Sequence, residues 1–198
     1  MSQLDLEPQD KMPKGAPLAE LLRPQRLGDV VGQDKLIGPD GRLRRMLDQG
    51  ELASIIFWGP PGTGKTTIAR LLADEAGMAF EPVSAVFDGV ADLRKVFARA
   101  ADRLKTGERT LLFVDEVHRF NKAQQDGLLP RVEDGTVTLV GATTENPSFA
   151  LNGALLSRAQ VMVLERLSST ALQALLARVE AHAGHSLPLE ADAREALV

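Results

Sequence analysis

The chain has 198 residues, 44% of them hydrophobic and 25% charged, enough for one good-sized domain or one domain plus the start of another. A formal net charge of -4 supplies no global basic field, so any nucleic-acid contact needs a local patch or a surface built by several subunits. The lack of cysteine excludes disulfides, thiolate catalysis and Cys-ligated metals.

Residues 1–17 are polar and Pro-containing, without the apolar run of a signal peptide, and are expected to form a flexible tail. No run of 18 apolar residues occurs, so no membrane partner is expected. A short helix is expected at Leu18–Leu22, ending before Pro24. Val30-Val31-Gly32-Gln33 reads as a compact apolar turn, and Leu36–Gln49 as one helix with Leu43, Met46 and Leu47 on a face. Ser54–Trp58 is a buried strand ending at Gly59, followed by a Gly/Pro loop and a helix over Thr66–Ala76. Ala79–Val83 is a second strand, which Pro82 consigns to an edge or a bulge. A helix over Val90–Leu104 and a strand over Thr110–Val114 come next. They are followed by a helix over Lys122–Val132, a strand over Thr136–Gly141, a helical turn at Gly153–Leu156 and a strand over Val161–Leu164. Alternating strands and helices predict an α/β fold, a five-stranded parallel sheet with helices on both faces. From Ser168 the pattern is helical only, with Leu172, Leu175, Leu176 and Val179 on one face, Gly184 as its end and a new start at Asp192–Val198. The expected organisation is tail (1–17), α/β core (18–166) and a truncated helical lid (167–198).

Gly59-Pro60-Pro61-Gly62-Thr63-Gly64-Lys65-Thr66 fits G-x-x-x-x-G-K-[ST], at the junction of a strand and a helix. Such a loop turns consecutive N–H groups toward a phosphate, and the helix adds its positive end. Lys65 would reach the β and γ phosphates of ATP, and the Thr66 hydroxyl would ligate Mg²⁺. A chance glycine-rich turn is the alternative, and the flanking strand and helix weigh against it. Asp115 and Glu116 end the third strand, where ligands of open parallel sheets bind. Behind a phosphate loop, Asp115 is expected near the Mg²⁺ and Glu116 near the γ-phosphate, activating water. Alone, the pair would read equally well as a strand running into a polar loop.

The stretch from Val114 through Asp115-Glu116-Val117-His118-Arg119-Phe120-Asn121-Lys122, Gln124-Gln125-Asp126 and Glu133-Asp134-Gly135-Thr136 to Gly141–Phe149 resembles the replication-associated recombination protein A family. Arg23-Pro24, the Val30–Gln33 turn and the Ile55–Thr67 block, which includes Thr67, resemble it too. Eukaryotic relatives of that family include the Werner-helicase-interacting ATPase; clamp-loader subunits and the Holliday-junction branch-migration motor are similar less closely. The resemblance covers about residues 18–167 and implies an AAA+ ATPase with a P-loop core. It implies that Thr144 senses the γ-phosphate, with Asn146 a weaker candidate, and that Arg158 in Leu155-Leu156-Ser157-Arg158 is an arginine finger completing a neighbour's site. Val30, Val31 and Gly32 would form the adenine-binding turn, with Arg23 beside the nucleotide. Read alone, Arg158 is a surface arginine paired with an acid, His118 carries no metal site, and Arg119, Lys122 and Arg131 are a solvated face rather than a DNA-facing loop.

The resemblance further implies homo-oligomers through a C-terminal region absent here, and forked or single-stranded DNA as a partner. Single-stranded-DNA-binding protein, replisome components and a cytoplasmic, nucleoid-associated location belong to the same expectation. No lid arginine matches a second sensor, and the chain reads as a fragment. The rival readings are a clamp-loader or branch-migration subunit, and a nucleotide-gated assembly module without turnover.

Overall fold

Period-two alternation along the central strands sends side chains into two separate apolar layers, and this sets the architecture. The computed structural model describes residues 20, 22–189 and 192. The expected tail, most of the helix expected at Leu18–Leu22 and nearly all of that expected at Asp192–Val198 lie outside the described residues. Strands β1 (Ile55–Trp58), β2 (Ala79–Ser84), β3 (Thr110–Asp115), β4 (Thr138–Thr143) and β5 (Gln160–Val163) form one parallel sheet in the order β2-β3-β4-β1-β5. The helices are α1 (Asp34–Ile37), α2 (Arg42–Asp48), α3 (Lys65–Glu75), α4 (Val90–Lys105), α5 (Lys122–Glu133), α6 (Pro147–Ala150), α7 (Gly153–Leu156) and α8 (Ser169–Ala183).

On one face Ile55, Phe57, Leu111, Phe113, Val140 and Ala142 form a core with Ile68, Leu71 and Leu72 of α3. On the other, Ile56, Leu112, Val114 and Leu139 join Leu93, Val96 and Ala100 of α4 and Leu128 of α5. The sheet is thus covered on both sides, as parallel sheets require. β2 lies at an edge, which accommodates Pro82 and its missing N–H. Buried Glu81 on β2 receives Arg99 Nε (3.0 Å) and Nη2 (2.6 Å) and Arg103 Nη1 (2.6 Å), fastening α4 over that edge. Among the described residues no helix is long and apolar enough to cross a membrane.

The single helix expected over Leu36–Gln49 is instead two. Gly38 closes α1 in an extended conformation, as a residue before proline prefers, and Gly41 opens α2. A Cβ at Gly41 would sit 2.3 Å from the Leu36 carbonyl oxygen, so the turn closes only around glycine. Strand β4 begins two residues later than expected. Asp134 Oδ1 accepts the Thr136 N–H at 2.8 Å and Gly135 has φ +74°, which makes this stretch a turn. The unexpected α6 starts at Pro147, capped by the Asn146 side chain.

Candidate functional site

Three neighbouring strands, β1, β4 and β3, deliver the site residues at their carboxyl ends. β1 runs into Gly59, whose N–H donates to the Thr143 carbonyl at the end of β4 (3.2 Å). The loop then turns through Gly62 (φ +79°) and Gly64 (φ +93°), left-handed conformations that glycine adopts without cost. Gly59 is there for space, because a Cβ would meet the Leu164 carbonyl oxygen at 2.3 Å. Thr63 Oγ1 donates to the Pro60 carbonyl (3.0 Å). Lys65, only 8% exposed, opens α3 and donates from Nζ to the carbonyls of Gly59 (2.7 Å) and Pro60 (2.9 Å). Burial pushes its pKa below the ordinary lysine value, against the opposing pull of Glu116 and Asp115.

A cleft of about 380 Å³ is lined by Pro61, Gly62, Gly64, Lys65, Thr66 and Thr67, by Asp115 and Glu116, and by Arg23. The loop, the acidic pair and the N-terminal arginine are therefore brought together. Arg23 is held by Glu20 Oε2, at 3.0 Å from Nε and 2.6 Å from Nη2. Pro60 and Thr63 line an adjoining cavity with Arg166, Leu167 and Leu172.

Glu116 follows β3 with φ +52°, the one non-glycine residue with positive φ among those described. Such strain collects where function holds a residue in place. Thr144, the first residue past β4, donates from Oγ1 to Glu116 Oε2 at 3.4 Å, a long bond that still puts the sensor candidate on the catalytic candidate. Asn146 spends its side-chain oxygen on the Ser148 N–H as a helix cap.

The remaining expected residues lie outside this cleft. The Val30 N–H closes a short turn on the Leu27 carbonyl (3.1 Å), and that turn is tied to α3 through Leu27 N–H and Glu75 Oε1 (3.1 Å). Val31 is half-buried beside it. At Gly32 (φ +77°) a Cβ would meet Leu167 at 2.7 Å, so the turn packs against the segment leading into α8. Arg158 forms an ion pair with Glu133 of α5, and its Nη1 donates to the Ala154 carbonyl and Ser157 Oγ, both at 2.9 Å. It is paired with an acid, as the residue read alone implied, and does not line its own chain's cleft.

Four contributors escaped the sequence. Glu133 pairs with Arg158. Gln33, 5% exposed, donates to the carbonyls of Glu165 (2.9 Å) and Thr63 (3.4 Å), joining the apolar turn to the phosphate loop. Gln125 of α5 donates to the Phe120 (3.0 Å) and Ala150 (3.3 Å) carbonyls and accepts the Asn152 N–H (2.9 Å). His118, read from sequence as unremarkable, has its ring enclosed between Glu116, Thr143 and Glu145. Its nearness to the acidic pair was visible, but the pairing of β3 with β4 that gives it partners was not.

Comparison with known proteins agrees with this fold. The sequence profile of the ATPase family associated with various cellular activities (AAA) matches residues 55–167. Replication-associated recombination protein A of Escherichia coli (strain K12) is 47% identical over 186 residues, covering 91% of this chain and 42% of that protein. The protein of the same name from Coxiella burnetii is 56% identical over 160 residues, covering 81% and 36%. The chain thus spans less than half the length of these relatives. Among solved structures, the Thermotoga maritima RuvB Holliday junction branch migration motor superposes with a TM-score of 0.64 at 31% identity, covering 82% of this chain and 55% of that one. The chain belongs to the ATPase family associated with various cellular activities, and its sequence groups it with the replication-associated recombination proteins A.

Proposed function

We propose that this chain is the Mg²⁺-dependent ATP-hydrolysing module of a replication-associated recombination protein, coupling ATP turnover to remodelling of DNA at stalled replication forks. One observation carries the hydrolytic part: Lys65, Thr66, Asp115 and Glu116 line one cleft, with Thr144 hydrogen-bonded to Glu116. The donor set fits a nucleoside triphosphate. Gly62 and Gly64 free the loop N–H groups for the phosphates, and the Lys65 ammonium can exchange its two carbonyl acceptors for phosphate oxygens. Thr66 and Asp115 would hold Mg²⁺, which neutralises charge on the β and γ phosphate oxygens. Glu116 orients the attacking water and takes its proton, and Thr144 presents a hydroxyl to Glu116 and the γ-phosphate region. Val30, Val31 and Gly32, with Arg23, would flank the nucleoside. Arg158 exchanges Glu133 for the γ-phosphate of a neighbouring subunit, where its guanidinium fork meets charge growing on the phosphoryl oxygens.

The relatives' names speak of replication and recombination; the proposal extends from there to action on forked or single-stranded DNA, homo-oligomer formation, single-stranded-DNA-binding and replisome partners, and a cytoplasmic, nucleoid-associated location. The boundary near Arg166, with a helical lid beyond it, is part of the same reading. The test is ATP hydrolysis over a range of protein concentrations, with and without forked DNA, beside Glu116→Gln. Turnover that rises with protein and DNA, and falls about 100-fold or more in Glu116→Gln while ATP still binds, is expected. Tight Mg-ATP binding without turnover in the wild type would replace hydrolysis with nucleotide-gated assembly.

A further inference from the structure

The groups around Glu116 have a common member. Val117, fully buried, lies on Gly141 of β4, where a Cβ would come within 3.2 Å of it. That close packing sets the Val117–Arg119 turn against the end of β4 and carries the His118 ring, its side chain 4% exposed, into contact with the segment that follows. His118 Nδ1 lies 3.2 Å from Glu116 Oε2 and 3.0 Å from Thr143 Oγ1; Nε2 lies 3.3 Å from Glu145 Oε1. The Thr143 hydroxyl donates to the Glu145 carbonyl (3.2 Å) and accepts the Glu145 N–H (3.0 Å). Its one proton is thereby used, and Nδ1 faces a carboxylate oxygen and a hydroxyl oxygen that both accept. With a proton on Nδ1 the ring donates to the Thr143 hydroxyl and lies alongside Glu116 Oε2, while Nε2 faces Glu145 Oε1.

We propose that His118 is a positioning residue: its ring holds the Glu116 carboxylate and ties it to the Thr143–Glu145 segment that carries Thr144. This rests on the reading of Glu116 as the residue that activates water. The bond from Thr144 to the Glu116 carboxylate is long at 3.4 Å, and His118 Nδ1 stands nearer to the same oxygen at 3.2 Å. With the ring in place, a shift of Thr144 toward a γ-phosphate moves Glu116 with it, so that base and sensor respond as one unit. General bases depend on such placement within hydrogen-bond reach of the proton they take.

The test compares ATP turnover by the chain with its affinity for a non-hydrolysable ATP analogue in Mg²⁺, for wild type, His118→Ala, His118→Asn, His118→Gln and Glu116→Gln. His118→Ala is expected to slow turnover by about 10- to 100-fold, with analogue affinity within about twofold of wild type. Asparagine puts an amide N–H near the position of Nδ1 and is expected to recover a substantial part of the rate. Glutamine places its amide near Nε2 and is expected to recover little. Should the alanine variant fail to fold, the asparagine and glutamine pair still separates the two ring positions. The proposal is overturned if His118→Ala turns over like wild type, if asparagine rescues no better than glutamine, or if analogue affinity falls in step with turnover. If wild type and Glu116→Gln are indistinguishable, the hydrolytic reading fails first, and the role of His118 fails with it.

Discussion

Gly59→Ala is the sharpest test of the distinction between a glycine needed for space and one needed for conformation. The added methyl would lie 2.3 Å from the Leu164 carbonyl oxygen and 3.1 Å from the Leu164 Cβ, so β1 and β5 must part by about 1 Å to restore van der Waals contact. They part where Leu164 N–H meets the Trp58 carbonyl (2.7 Å). Overpacking of this kind, with that bond stretched, costs about 3 kcal/mol. For a domain of this size that lowers Tm by roughly 9 °C. Gly62→Ala is the control. Its methyl meets nothing within 4 Å, and only the φ of +79° opposes it, a cost of about 1 kcal/mol and roughly 3 °C. Thermal melting of both variants, with ATP affinity measured alongside, checks the argument. Melting of Gly59→Ala within about 2 °C of wild type, or a larger loss in Gly62→Ala, would refute it.

Two further predictions concern the edge strand and the finger role proposed for Arg158. Hydrogen bonding from Arg99, with further help from Arg103, holds the Glu81 pKa below the usual carboxylate value. Stability from Glu81 is therefore fully present above its unfolded value of about 4.3 and is lost as pH falls through the lower folded value. Glu81→Gln should cost about 1–2 kcal/mol at pH 7 by urea unfolding, less than a fully buried pair because the Arg99 side chain is 50% exposed. The gap to wild type should close in acid; a gap constant with pH would remove the ion pair as its cause. For Arg158, an equal mixture of Glu116→Gln and Arg158→Ala should regain about a quarter of wild-type turnover, since only one pairing of subunits in four joins an intact Glu116 to an intact finger. A mixture no more active than its components would argue that Arg158 does not act across subunits.

The Gly59–Thr66 loop and the Asp115–Glu116 pair, which line one cleft, were legible because each is written in consecutive residues. Strand identities were legible from apolar runs, and the edge position of β2 from Pro82. The break at Gly38–Gly41 was spelled out in Gly, Pro and Asp, yet a helical spacing of leucines on either side obscured it. His118, Gln33, Gln125 and Glu133 each reach at least one partner 25 to 132 residues away along the chain. Only the strand order brings those partners near, and order within a parallel sheet leaves no local mark in the sequence.

The positive φ of Glu116 has a consequence for how this protein tolerates change. Asparagine and glycine occupy the left-handed region more readily than glutamate does, so either should fold at least as stably at position 116. A library selected for thermal resistance alone would drift toward those residues and discard the carboxylate. With Glu116 activating water as proposed, selection for turnover would hold the glutamate against that drift, making position 116 a point where durability and activity favour different amino acids.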